Sequence, residues 1–197
     1  MELRAQAVAA ALVDSRRRSI FPNDSITTTL VRFGTPALCF AREHGIRIVP
    51  LRRGERYADV SPALVRMGVN VDTWAAPPAG LFVVEERTVF LRSRSPMTVA
   101  HEFGHALDCA LGGGVYRSGL DSRVRALFAA ARNFITPYAA TGLDEYFAEA
   151  LRAYVEGNDS ASLWPRATRE RLRRIDRGMF TYVESLFLNE FLIQHAA

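Results

Sequence analysis

The sequence His101-Glu102-Phe103-Gly104-His105 decides how this chain is interpreted. It lies in a segment that begins at Ser95-Pro96, a pair typical of a helix N-cap followed by proline, and ends at Gly112-Gly113-Gly114. On a helix, His101 and His105 are one turn apart, so two imidazole nitrogens can converge on one metal ion. Glu102 can then take a proton from a water molecule held by that metal. The segment therefore predicts a zinc site on a helix.

In the rest of the chain the order is helices, then strands, then mostly helices, which predicts an α+β fold with a mainly helical C-terminal part. Alternating, β-branched stretches predict strands at 46–51, 81–85 and 88–92, the last two joined by a tight turn near Glu86-Arg87. Apolar periodicity and capping residues predict helices at 1–18, 35–45, 61–68, 95–112, 118–132, 141–156, 165–177 and 180–193, with a loop at 21–25. We expect one domain over 1–197, with helices and sheet in 1–94 and the metal ligands in 95–197.

Composition narrows the class of protein further. All 25 basic residues are arginine, which we attribute to coding bias; the alternative is removal of the ubiquitination target, which would suit a protein that enters a eukaryotic cytosol. The arginines are dispersed, so we expect no nucleic-acid partner. No stretch predicts a membrane-spanning helix or a secretory signal, which favours the cytoplasm or export by a route without a cleaved signal. Cys39 and Cys109 form no disulfide framework, and Cys109 is expected to be a free, buried thiol.

The third metal ligand must come from elsewhere. A metzincin would carry glycine and histidine where this chain has Asp108 and Leu111, so that class is excluded. His44 and His195 are candidates only by residue type. Glu145 and Glu149 are better candidates because they share a helix face, where one can bind the metal while the other orients a ligand histidine.

Two stretches, His101–Asp108 and Ile135–Val155, resemble the catalytic domain of anthrax lethal factor and are similar to the small bacterial Pro-Pro endopeptidases of the same clan. The resemblance covers roughly Val89–Val155. It implies a zincin-like fold with a small mixed or antiparallel sheet and an active-site helix, and a zinc endopeptidase with a peptide or protein substrate. By position, it implies zinc ligands His101, His105 and Glu145; Glu102 as general base; Tyr138, seven residues before Glu145, as oxyanion donor; Glu149 as the partner of a ligand histidine; and Asp108 in a supporting role.

The same resemblance implies that substrate pairs with an edge strand, either Thr88–Arg92 or its neighbour. Trp74 is the nearest candidate for an aromatic residue that grips the substrate. We expect a monomer, with a secreted or injected toxin as one biological role. Two alternatives are a cytoplasmic peptidase that cleaves phage-type repressors and a non-catalytic zincin-like binding module. The 40-residue separation of His105 and Glu145 and the presence of Tyr138 argue against the first, and the intact site residues argue against the second.

Overall fold

The computed structural model describes residues 2–17, 24–164 and 166–193, and it has the predicted α+β architecture. The helices are α1 (Glu2–Leu12), α2 (Ser25–Val31), α3 (Gly34–Glu43), α4 (Tyr57–Val60), α5 (Pro62–Met67), α6 (Pro96–Leu111), α7 (Arg117–Leu120), α8 (Ser122–Ala130), α9 (Leu143–Tyr154), α10 (Arg169–Ile175), α11 (Arg177–Ser185) and α12 (Phe191–Ile193). The strands are β1 (Arg47–Pro50), β2 (Gly80–Val83) and β3 (Thr88–Leu91). None of the described helices combines the length and hydropathy needed to cross a membrane.

The three strands form a mixed sheet in the order β1-β3-β2. β3 is central: it pairs in parallel with β1, where Ile48 lies opposite Val89, and antiparallel with β2, where Phe82 lies opposite Val89. A single bridge from Val13 to Ile48 covers part of the outer side of β1. β2 is therefore the edge strand nearest the helix that carries the two histidines.

Each face of the sheet packs against a different group of side chains. Val89 and Leu91 point into the main core, which α6 and α9 share with the N-terminal and C-terminal helices. Phe90 and Val83 point to the other side, where Tyr57, Leu64 and Val71 of the segment before β2 form a smaller apolar cluster. This alternation is the two-residue period of a strand that is buried on both faces.

The helix α6 begins as predicted. The side chain of Ser95 accepts a hydrogen bond from the backbone N–H of Met97, and Pro96 occupies the first turn. Every residue from Val99 to Ala110 is buried, because the sheet packs on one side of this helix and α9 on the other. A helix buried all round positions its polar side chains inside the protein rather than in water.

Several predicted boundaries are wrong. The first helix ends at Leu12 rather than near Arg18, because Val13 pairs with β1. The predicted helix at 118–132 is two helices, α7 and α8, separated at Asp121, whose side chain caps the second. The side chain of Thr168 caps α10, which begins at Arg169, and that of Asp176 caps α11, which begins at Arg177; a π-helical turn, Leu186–Glu190, follows α11. Helices α2 and α4 were not predicted from sequence, and residues 21–23 of the predicted loop lie outside the described residues.

Candidate metal centre

Three predicted ligands from two helices meet at one point. The Nε2 atoms of His101 and His105 lie 3.1 Å apart, and Oε2 of Glu145, in the first turn of α9, lies 3.1 Å from the first and 3.3 Å from the second. A tetrahedral ion with metal–ligand distances of about 2.0–2.1 Å separates its ligands by about 3.3–3.4 Å. Two imidazoles and a carboxylate in a nearly equilateral triangle of this size therefore fit zinc and leave its fourth position open.

A glycine in the motif allows the two ligand-bearing helices to approach this closely. A Cβ atom on Gly104 would lie 3.0 Å from the Cα of Ala148 and 3.1 Å from its carbonyl oxygen. Gly104 stands between the two histidines on α6, and Ala148 stands between Glu145 and Glu149 on α9. The contact therefore sets the separation between the histidines and the carboxylate that complete the triangle.

His101 is held by a buried polar network. Its Nδ1 lies 2.9 Å from Oε1 of Glu149, whose other oxygen accepts a hydrogen bond of 2.6 Å from the hydroxyl of Thr136. The guanidinium of Arg152 donates to both oxygens of Glu149, at 2.7 and 2.8 Å, and only 1% of Arg152 is exposed. Carboxylates that orient ligand histidines in this way fix the ring and its tautomer.

The network also determines the charges. Burial would lower the pKa of His101, but the carboxylates of Glu145 and Glu149 outweigh it and raise that pKa to about 10. Burial would raise the pKa of Glu149, but His101 and Arg152 lower it to about 2. Burial would likewise raise the pKa of Glu145, which its contacts with His101 and His105 instead lower. Both glutamates are thus anionic, as a metal ligand and a histidine partner must be.

Glu102 lies between the histidines and the edge strand. Gly80 of β2 packs directly against its side chain, because a Cβ atom on Gly80 would lie 2.5 Å from the Cγ of Glu102. Residue 80 must therefore be glycine for Glu102 to occupy this position. Burial raises the pKa of Glu102, with the two histidines opposing that effect. A buried carboxyl with a raised pKa beside a metal site can both accept and return a proton.

Two tyrosines flank the pair of histidines. The ring of Tyr138 lies 5.4 Å from that of His101, and the ring of Tyr116 lies 5.7 Å from that of His105. Burial and the carboxylate of Glu145 raise the pKa of Tyr138, so its phenol keeps its proton at neutral pH and can donate a hydrogen bond. Tyr138 is 44% exposed, which leaves that donor accessible to a molecule in the cleft.

The remaining candidates lie outside the triangle. Asp108 is fully buried and accepts hydrogen bonds from the backbone N–H and the hydroxyl of Ser118, at 2.8 and 2.6 Å, so it connects α6 to α7. His44 lies at the end of α3, with its Nδ1 2.9 Å from the carbonyl oxygen of Phe40. His195 lies outside the described residues. Cys39 and Cys109 are both free and buried.

A cleft of about 300 Å³ opens beside the triangle, lined by Gly80, Met97, His101, Glu102, Tyr138 and Trp164, among others. Trp74, the aromatic residue singled out from sequence, does not line it, whereas Trp164, 59 residues beyond His105, does. Sequence reasoning also missed Thr136, Arg152 and Tyr116. The spacing of Arg152 from Glu149, three residues on the predicted helix, was the one usable signal among them.

Comparison with protein-family models and with curated protein sequences finds no match. Among solved structures, the fold is similar to that of the Pro-Pro endopeptidase from Paenibacillus alvei, with a TM-score of 0.63 and 18% sequence identity over 91% of this chain and 99% of that one. The similarity supports the α+β zincin-like fold predicted from sequence, and at this identity it concerns the fold alone.

Proposed function

We propose that this protein is a zinc-dependent endopeptidase with a lethal-factor-like arrangement of site residues. The observation that carries the proposal is the triangle of ligand atoms from His101, His105 and Glu145, with sides of 3.1–3.3 Å, directly beside Glu102. The fold similarity to a Pro-Pro endopeptidase supports the same reaction class. The cleft next to the triangle supports a substrate that reaches the metal from solvent.

His101, His105 and Glu145 would hold the zinc ion, which when bound would supply the Lewis-acid chemistry that polarises a peptide carbonyl and acidifies a water molecule. Glu102 accepts the proton of the attacking water and returns it to the nitrogen of the leaving amine. Tyr138 donates a hydrogen bond to the oxygen that becomes negative as the carbonyl carbon turns tetrahedral.

The edge strand β2 is suited to bind the substrate backbone. Because the N–H of Arg92 donates to the carbonyl of Ala79, Ala79 faces β3, and the backbone groups of the next residue, Gly80, face away from the sheet. Gly80 lies beside Glu102 in the cleft, so an extended peptide that pairs with it would pass the metal. The central position of β3 leaves β2 as the strand for this role, the second of the two predicted alternatives.

Cleavage of a peptide library by the zinc-loaded protein tests the proposal. We expect cleavage by the wild type and, for Glu102→Ala, at least a thousandfold loss of rate with zinc content unchanged, because the variant keeps all three ligands but lacks the base. Glu170→Ala, on the exposed surface of α10, is the matched control and should retain full activity. Cleavage that survives in Glu102→Ala would refute the mechanism, and no cleavage by a zinc-loaded wild type would favour the non-catalytic binding module.

The third ligand has its own test. Glu145→Ala removes one corner of the triangle, so we expect zinc content after dialysis to fall well below one ion per chain. Undiminished zinc in that variant would show that Glu145 is not the ligand. Glu149→Gln should retain zinc more strongly than Glu145→Ala, because the side chain at 149 contacts His101 on the nitrogen that faces away from the triangle.

A further inference from the structure

A loop between α9 and α10 forms one side of the cleft, and its two ends are pinned together. The side-chain amide of Asn158 donates to the carbonyl oxygen of Ala167 at 2.8 Å and accepts from the backbone N–H of Ala167 at 2.9 Å. This pair of hydrogen bonds closes the loop at its base. These hydrogen bonds hold residues 158 and 167 together, so the described residues 159–164 leave the helical part and return to it at one place, like other loops that carry binding residues on a rigid scaffold.

The loop is also fixed to the helix that carries the two histidines. Oδ2 of Asp159 accepts a hydrogen bond of 2.7 Å from the hydroxyl of Ser95, the N-cap of α6. The hydroxyl of Ser162 lies 4.0 Å from the sulfur of Met97 in the first turn of α6. These contacts place the loop beside the N-terminal turn of α6, one turn before His101.

Arg152 connects the start of the loop to Glu149, the residue that contacts His101. Its guanidinium donates to both oxygens of Glu149, the partner of His101, and also to the carbonyl oxygen of Gly157 at 3.3 Å, just before the loop. The cleft wall and the orientation of His101 thus depend on the same buried side chain. A substrate group held by the loop would therefore be positioned relative to the metal.

Trp164 is the largest side chain that this loop contributes to the cleft. It lies there with Met97 and Pro78, and half of its surface is exposed. The ionisable side chains that line the cleft are His101, Glu102, Tyr138, Glu149 and Arg152, all of which belong to the metal centre or its network. Among the described residues that line the cleft, Trp164, Met97 and Pro78 thus offer apolar surface, and the lining has no charged side chain outside the metal centre and its network.

We propose that Trp164, together with Met97, forms a subsite that binds an apolar side chain of the substrate next to the cleaved bond and discriminates against charged side chains. The proposal rests on the proposed peptidase function and deepens it by assigning the specificity of the cleft to a residue of the loop. A charged side chain placed there would lose its hydration without gaining a partner, whereas an apolar one would cover the exposed face of the indole.

Kinetics with paired peptides test the assignment. The starting point is a peptide that the wild type cleaves. At each position next to the cleaved bond, one variant peptide carries leucine and another carries aspartate. At the position that the subsite binds, Trp164→Ala is expected to lower kcat/KM for the leucine peptide about 10- to 100-fold. The ratio of kcat/KM for the leucine peptide to kcat/KM for the aspartate peptide should therefore decrease. The matched control is Leu163→Ala, because Leu163 is fully exposed and does not line the cleft. An unchanged preference in zinc-loaded Trp164→Ala would overturn the proposal.

Fluorescence provides a second measurement in which Trp164 is left intact. The chain has two tryptophans, so Glu102→Ala combined with Trp74→Phe leaves Trp164 as the one reporter in a protein that does not turn substrate over. Saturable binding of the leucine peptide should shift the fluorescence emission of Trp164 to shorter wavelength, because the indole is then shielded from water. The aspartate peptide should bind more weakly. Binding without any change in emission would overturn the subsite, while an inactive wild type would instead refute the peptidase function.

Discussion

His101 and His105, the two histidines proposed to bind the metal, lie one helical turn apart but are held in different ways. Around His101, Thr136, Glu149 and Arg152 form a buried network in which both oxygens of the glutamate are used. Around His105, Nδ1 is buried and has no hydrogen-bond partner in the described part of the chain. The comparison indicates that charge and hydrogen bonds orient the first ligand, whereas packing against neighbours such as Tyr116 orients the second.

Removing the centre of the His101 network is expected to have the largest effect. Glu149→Ala would leave the guanidinium of Arg152 buried without its anionic partner, which costs about 3–5 kcal/mol in the free energy of unfolding. It would also weaken zinc binding about 10- to 100-fold, since His101 loses the group that orients it. Urea unfolding of the zinc-free protein and competition with a chelator measure the two effects. Exposed Glu170→Ala is the control, and a change below about 1 kcal/mol in Glu149→Ala would contradict the central role of Glu149.

The next largest effect is a difference in kcat between variants of the two tyrosines beside the histidines, Tyr138 and Tyr116. Tyr138 faces the Glu145 carboxylate and the cleft, so Tyr138→Phe should keep zinc and lose about 100- to 1000-fold in kcat, or about 3–4 kcal/mol of transition-state stabilisation. Tyr116 packs between His105 and Phe82, so Tyr116→Phe should change kcat less than tenfold. Steady-state kinetics of both variants measure the difference. An equal loss in the two would mean that the oxyanion donor was assigned to the wrong side of the metal.

Much of this site could be predicted from sequence because its spacing follows helix geometry. A separation of four residues places two side chains on the same face of a helix, whatever the tertiary fold. This separation holds for His101 and His105 and also for Glu145 and Glu149. The three-residue spacing of Arg152 from Glu149 indicates an ion pair but not its burial, because an arginine at that distance from a glutamate is ordinarily a solvated surface partner. Trp164 and Thr136 approach the metal ligands only through the tertiary fold, so no local pattern could have revealed them.

The same reasoning explains the boundaries of the elements. The start of α6 was predicted correctly because Ser95 and Pro96 act locally. The N-terminal helix was predicted too long because pairing of Val13 with Ile48, 35 residues away, ends it. The edge position of β2 likewise depends on the pairing of β1 with β3, which are separated in sequence by α4 and α5. Strand propensities predict individual strands but not the order of the strands in the sheet. The cap at Ser95 could thus be predicted, whereas the caps at Asp121 and Asp176 and the long-range strand pairing were not.

On the His105 side, Asp108 gives a pH-dependent prediction. Burial raises its pKa to about 6, although the two hydrogen bonds from Ser118 oppose that shift. The folded protein therefore holds this proton more tightly than the unfolded chain, and stability should fall as pH rises from about 4 to about 6, by up to about 3 kcal/mol. Asp108→Asn removes the ionisation, so its stability relative to wild type should increase across that window. Urea midpoints at pH 4, 5, 6 and 7 measure this, with Glu170→Gln as the control; a constant difference would contradict it.

The smallest effect concerns the proton on His101. In the metal-free protein Glu145 and Glu149 raise its pKa to about 10, so the stability contributed by the protonated ring is complete below about pH 6.5 and is lost as pH rises through 10. Zinc binds only the neutral imidazole ring. At pH 8.5 an ordinary histidine is already neutral, whereas His101 is still protonated, so zinc binding must release the proton of His101. In Glu149→Gln one of the two anions is gone, the pKa of His101 falls, and fewer protons should be released per zinc. Titration calorimetry in two buffers with different ionisation enthalpies counts those protons. Equal counts in the two proteins would mean that Glu149 orients His101 without setting its charge, and the difference between the two histidines would then be one of geometry alone.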